Sequence, residues 1–186
     1  MRPVVLASGS PRRRELLTQM GVAEFEILPA RGEETAPDGL TPDALVRCLA
    51  LQKAQEISAL RPDSIVIGAD TVVVLDDAVL GKPKDEADAV RMLSALQGRT
   101  HKVYTGLAVL CGTQVLQHAE CTSVTFRAMT AAEITDYAAS GEPMDKAGAY
   151  GIQGLACRFI RGIEGDYYNV VGLPVCALDE LLQKLD

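Results

Sequence analysis

A short apolar run, Val4-Val5-Leu6-Ala7, gives way to Ser8-Gly9-Ser10-Pro11 and then to three consecutive arginines, Arg12, Arg13 and Arg14. Cations at the start of a helix face the partial positive charge of unsatisfied N–H groups, so this order makes chemical sense when an anion is held there. A capping box would place Glu or Gln where Arg13 stands, so the first-turn N–H groups are left open to a ligand. Ser8, Gly9 and Ser10 add two hydroxyls and a pliant backbone, the elements of a phosphate cradle. Successive helical residues are ~100° apart, so Arg12 and Arg13 are expected to face the anion and Arg14 to be solvated. The plain alternative is a basic helix face.

Asp70 is the second chemical signal. It lies inside the β-branched run Ile65–Leu75, where an unpaired carboxylate costs several kcal/mol and must be compensated. Thr71 adjoins it. Lys53 and Lys82 are suited to phosphate charge, and Glu34, with Glu33 as a competing position, supplies another carboxylate. Together these residues could neutralise a polyphosphate and hold a divalent ion; oxygen ligands without histidine favour magnesium or manganese over zinc. Taken one at a time, they read as solvated surface charges or as a structural Asp bonded to a turn. His101 and His118 are the only histidines, and neither has the companions of a nucleophile relay.

The third signal is the loop from Gly141 to Gly154, rich in Gly and Pro, with Gln153 near its end. One amide offers a donor edge and an acceptor edge, which complement the O4 and N3–H of uracil or thymine. Rotated, the same amide suits cytosine, so neighbouring groups must fix it. An ordinary surface loop is the alternative.

The elements that must position these groups follow from periodicity and punctuation. Pro11 to Met20 reads as a helix capped by Ser10 and closed at Gly21, followed by a short strand from Phe25 to Leu28. Thr41 is expected to cap a second helix from Pro42 to about Leu60, with Leu45, Leu49 and Ala50 on its apolar side and Gln52, Lys53 and Glu56 elsewhere. Ile65–Leu75 should be a central strand that turns back at Asp76-Asp77, and Asp85 to Leu96 a third helix. His101–Cys111 and Gln114–Phe126 form a hairpin about Gly112-Thr113, and Thr130 caps a helix from Ala131 to Ala139. A strand from Arg158 to Ile163 and a helix after Pro174 complete the chain. The irregular alternation of strands and helices, with an inserted hairpin, predicts an α/β fold with a mixed sheet flanked by helices.

With 186 residues and 48% hydrophobic content the chain can bury a full core, and it reads as one domain over residues 1–186, without repeats or linkers. The amino-terminal apolar run is too short for a signal sequence and no stretch nears the ~18 apolar residues of a membrane span, so a cytoplasmic protein without membrane partners is expected. Five widely spaced cysteines in apolar contexts predict free buried thiols. A net charge of −7 disfavours a duplex nucleic-acid surface and suits a small anion bound at local basic residues. A homodimer is one assembly the composition allows.

Leu6-Ala-Ser-Gly-Ser-Pro-Arg-Arg-Arg-Glu-Leu-Leu17, Gly68-Ala-Asp-Thr71, Gly81-Lys-Pro83, the Gly141–Gly154 loop and Val171-Gly-Leu-Pro174 resemble, in order, the signatures of the Maf family of nucleoside triphosphate pyrophosphatases. The resemblance covers essentially the whole chain. It implies an inosine-triphosphatase-like α/β fold with an elongated mixed sheet and two lobes about a central cleft. The Asp145-Lys146 and Ala149-Tyr-Gly-Ile-Gln153 wording resembles the branch acting on dTTP and UTP, not the one acting on 7-methyl-GTP. By resemblance, Asp70 is the catalytic proton acceptor or chiefly a metal ligand with Glu34. Arg12, Thr71 and Gln153 govern substrate choice, and Ser8, Arg13, Lys53 and Lys82 surround the phosphates. The implied reaction is attack of water on the α-phosphorus, releasing a nucleoside monophosphate and pyrophosphate with magnesium or manganese as cofactor. A nucleotide-binding regulatory module, acting on cell division without turnover, is the competing reading. Asp70 separates the two, because a pure binder gains nothing from a carboxylate that repels its anionic ligand.

Overall fold

The computed structural model describes residues 2–185. A three-residue strand, β1 (Val4–Leu6), pairs in parallel with β2 (Glu26–Ile27) and with β3 (Ile65–Leu75), in registers Val5–Glu26 and Val5–Val66. Parallel neighbours need crossover connections, supplied here by α1 (Pro11–Gln19) and α2 (Pro42–Leu60). β4 (Ala78–Leu80) folds back antiparallel on β3 through Asp76-Asp77, whose φ values of 48° and 65° are those of a tight hairpin turn that Asp tolerates. Then come α3 (Glu86–Leu96), β5 (Thr100–Cys111), β6 (Gln114–Phe126) and α4 (Ala131–Ala139). Three 3₁₀ turns (Glu142–Asp145, Ala147–Ala149 and Leu155–Phe159) lead to β7 (Ile160–Glu164), α5 (Tyr167–Val171) and α6 (Val175–Leu182). The mixed sheet has the order β2-β1-β3-β5-β6-β7, with β4 beside β3.

The chain forms two compact units, Met1–Thr71 with Thr105–Glu120 and Gly172–Asp186, and Val72–Tyr104 with Cys121–Val171. In the first, Val5, Ala7, Val66, Ala108 and Leu110 of the sheet pack against Ala50, Ala54 and Ile57 of α2. This contact is unusually close because two strand positions lack side chains. A Cβ on Gly68 would lie 2.3 Å from the Ala50 carbonyl oxygen, and one on Gly106 2.2 Å from that of Val46. Alanines on the helix and glycines on the strands thus bring α2 down onto β3, one residue from Lys53 and two from Asp70. In the second unit, α3 and α4 bury Met92, Leu93, Leu96, Ile134 and Tyr137 with Val124, Phe126 and Phe159.

The expected helices and long strands are present, and the differences from expectation are local. Ser10 and Thr41 occupy the N-cap positions of α1 and α2, yet neither hydroxyl accepts from a first-turn backbone N–H, and that of Thr41 instead donates to the Asp43 carboxylate at 2.6 Å, whereas Thr130 and Glu133 close a full capping box on α4. The strand expected from Arg158 begins at Ile160, because Leu155–Phe159 coils as 3₁₀ and buries Ala156 and Phe159. Residues 167–171 are helical, unforeseen in a stretch too short to show a period. The cysteines are free, but only Cys111 is buried; Cys121, Cys157 and Cys176 are exposed. Among the described residues no helix is long and apolar enough to cross a membrane.

Candidate active site

The start of α1 is built as an anion cradle is built. Ser10 has extended backbone, Pro11 opens the helix, and the first turn contains no acid. The Ser10 N–H donates to Ser8 Oγ at 3.3 Å, so the turn folds about the Ser8 hydroxyl, which is itself buried. Arg13 ties this turn to the neighbouring strand. Its Nε donates to the Gly172 carbonyl oxygen at 2.7 Å, Nη1 to Ser8 Oγ at 3.1 Å and Nη2 to Thr71 Oγ1 at 3.0 Å. Burial pulls the Arg13 pKa below its ordinary value, and the nearby Asp70 opposes that pull. An arginine remains charged under these conditions. Arg13 is therefore a cation set among hydroxyls, with its planar fork spent on holding Ser8 and Thr71 in place. Arg12 is half-buried and close enough to lower the Arg13 pKa further; Arg14 is exposed, as expected. Thr71 Oγ1 also meets the buried Thr105 Oγ1 at 2.9 Å.

One residue away, Asp70 is only 8% exposed and its Oδ1 accepts from Lys53 Nζ at 2.6 Å. The compensation that the sequence demands for a carboxylate in this strand is thus an ammonium from α2. Lys53 Nζ also lies 3.0 Å from Glu34 Oε1. Two carboxylates converge on a single cation, and Glu34 rather than Glu33 is the one that reaches it. Both glutamates line a concavity of about 310 Å³ beside Lys53, walled by Gln52 and Glu56.

Gln52 and Glu56, expected only to lie off the apolar side of α2, brace the loop that carries Glu34. The Glu56 carboxylate accepts from the backbone N–H groups of Arg31 and Gly32 at 2.8 and 2.9 Å, and these bonds hold its carboxyl below the usual carboxylate range. Gln52 accepts from the Thr35 N–H at 3.2 Å and donates to the Thr35 carbonyl. Three side chains within five residues of one helix therefore pin the loop that delivers Glu34. No signal in the sequence reveals this, since the partners are 17 to 25 positions away.

Lys82 and Gln153 belong to the second unit, and both are exposed. Their loops are stitched together by the Gly148 N–H, which donates to the Gly81 carbonyl oxygen at 3.0 Å. Gln153 occupies a turn closed by the Gly154 N–H on the Gly151 carbonyl oxygen at 3.2 Å.

Carboxylate oxygens, cations and a helix start without a side-chain cap thus come together on the mixed sheet of an α/β protein. Its likeness to a HAM1 protein from Coxiella burnetii, with a TM-score of 0.50 over 68% of this chain and 73% of that one at 16% identity, concerns the fold alone. The match to the family described as Maf-like protein extends over residues 3–185, and the chain belongs to that family. A Moorella thermoacetica dTTP/UTP pyrophosphatase is 53% identical over 98% of this chain and 94% of its own length. A Bacillus cereus dTTP/UTP pyrophosphatase is 48% identical over 100% and 97%.

Proposed function

We propose that this protein hydrolyses dTTP and UTP between the α- and β-phosphates, giving the nucleoside monophosphate and pyrophosphate. The observation that carries the reading is the Asp70–Lys53 pair, set one residue from Thr71 and the Arg13–Ser8 network, in a chain about half identical to dTTP/UTP pyrophosphatases along its whole length.

On this reading each group has a distinct role. Ser8 and the first-turn N–H groups of α1 receive phosphate oxygens, with Arg12 beside them and Arg13 fixing their geometry. Lys53 and Lys82 offset the charge of the triphosphate. Asp70 takes the proton of the attacking water. Because Lys53 is shared between Asp70 and Glu34, a bound triphosphate competes for the ammonium and lets the carboxylate turn to the water. Asp70 and Glu34 are hard oxygen donors already arranged about one cation, which fits magnesium or manganese bound by two carboxylates together with phosphate oxygens. Such an ion, when bound, supplies charge neutralisation on the departing pyrophosphate. Gln153 reads the pyrimidine edge. The net charge of −7 suits free nucleotides rather than a duplex, in keeping with a cytoplasmic enzyme.

The test is a hydrolysis panel over the natural triphosphates with magnesium or manganese, reading both products. Turnover of dTTP and UTP to monophosphate and pyrophosphate is expected; release of orthophosphate would contradict the reading.

A further inference from the structure

Gln153 is exposed, and the turn that presents it is held by two side chains outside the motif's obvious chemistry. Glu142, in the first 3₁₀ turn, accepts through Oε1 from the buried Tyr137 hydroxyl at 2.9 Å and through Oε2 from the Leu155 backbone N–H at 2.9 Å. The Tyr137 oxygen in turn accepts from the Gly151 N–H at 3.3 Å. One carboxylate–phenol pair thus gathers the main-chain N–H groups two residues before and two residues after Gln153. Gly154 makes this possible: a Cβ there would sit 2.3 Å from Glu142 Oε1, so the carboxylate lies flat against the backbone beside Gln153. Burial and the bond to Glu142 both raise the Tyr137 pKa, so the phenol keeps its proton and the direction of donation is fixed. Lys146 Nζ anchors the other side of the Glu142 turn by donating to the Glu142 carbonyl oxygen at 2.7 Å.

We propose that Glu142 and Tyr137 are positioning residues for base selection: they clamp the Gly151–Gly154 turn and thereby set how strongly dTTP and UTP are preferred over CTP. The proposal rests on reading Gln153 as the group that meets the base. An amide can rotate to suit either a 4-oxo or a 4-amino pyrimidine, so discrimination depends on holding its carrier where only one orientation pairs well. A displacement of the turn by an ångström is enough to lose that difference.

The experiment measures kcat and KM for dTTP, UTP and CTP in the wild type, Glu142→Gln, Tyr137→Phe, Gln153→Ala and the Glu142→Gln/Gln153→Ala double variant. Both clamp variants are expected to raise KM for dTTP and UTP about tenfold with a smaller change in kcat, and to shrink the preference over CTP by a similar factor. In the Gln153→Ala background, Glu142→Gln should add less than about a twofold change, because the clamp acts through Gln153. Amide hydrogen exchange at Gly151 and Leu155 reads the clamp itself, and should quicken about tenfold or more in Glu142→Gln. Faster exchange with an unchanged base preference would make the clamp purely structural and overturn the proposal. So would an equal loss from Glu142→Gln in both backgrounds. If Gln153→Ala alone leaves the preference untouched, it is the reading of Gln153 that has failed, and the proposal falls with it.

Discussion

Asparagine at position 70 keeps the shape of the side chain and an oxygen facing Lys53, but it cannot take a proton from water. Asp70→Asn is therefore expected to lower turnover about 10²- to 10⁴-fold while leaving nucleotide binding within a few-fold, measured by steady-state hydrolysis and by calorimetric titration with dTTP. Lys53→Met has a different signature. It leaves the buried Asp70 carboxylate without its ammonium partner at 2.6 Å, and should cost about 3 kcal/mol or more in urea unfolding. Much of that loss should return in the Lys53→Met/Asp70→Asn double variant, because the uncompensated charge is gone. Glu34→Gln is expected to raise the magnesium concentration for half-maximal activity about tenfold or more, whereas Glu33→Gln should not, since only Glu34 reaches Lys53. The residue types at this site were legible in the sequence, because a carboxylate in a β-branched run and arginines at a helix start both violate ordinary placement. The division of labour among the arginines was not. Helical spacing sets Arg14 apart from Arg12 and Arg13, but it does not show that Arg13 is turned inward onto Ser8, Thr71 and Gly172.

At the scale of elements, the approach of α2 to β3 decides whether Lys53 meets Asp70. Gly68→Ala would place a methyl carbon 2.3 Å from the Ala50 carbonyl oxygen, so the helix must move outward. The expected result is a loss of about 1–3 kcal/mol in stability by urea unfolding, together with a fall in turnover at temperatures where the variant is still folded. Retained activity at reduced stability would show that the Lys53–Asp70 pair tolerates the shift. The long strands β3, β5 and β6 and the helices α2, α3 and α4 were readable because each runs long enough to display its period and carries its own stop signals. The stretch from Leu155 to Phe159 was not. Leu-Ala-Cys-Arg-Phe is too short to show a helical period, so Arg158 and Phe159 read as the start of the next strand, while the Glu142 carboxylate that accepts from the Leu155 N–H lies 13 positions away. The supporting roles of Gln52 and Glu56 were hidden for the same reason, since their partners are main-chain N–H groups on a distant loop.

For the molecule as a whole, His101 imposes a dependence of stability on pH. It is buried, its Nε2 lies 2.7 Å from Tyr150 Oη, and Nδ1 has no hydrogen-bond partner among the described residues. Burial lowers its pKa from 6.5 to about 4, since protonation would add a charge and a second N–H donor in an aromatic enclosure formed with Phe126 and Tyr150. The unfolded chain takes up this proton below pH 6.5 and the folded one only near pH 4, so the contribution is complete above 6.5 and lost as the pH falls through that window. Unfolding titrations at successive pH values should show about 3 kcal/mol lost to this residue across the interval, and His101→Asn should flatten that part of the profile. Which phosphorus is attacked decides the chemistry, and hydrolysis of dTTP in ¹⁸O-labelled water identifies it. The label is expected in dTMP, with unlabelled pyrophosphate released. Label in pyrophosphate or in orthophosphate would place the attack elsewhere and contradict the roles assigned to Asp70 and its neighbours.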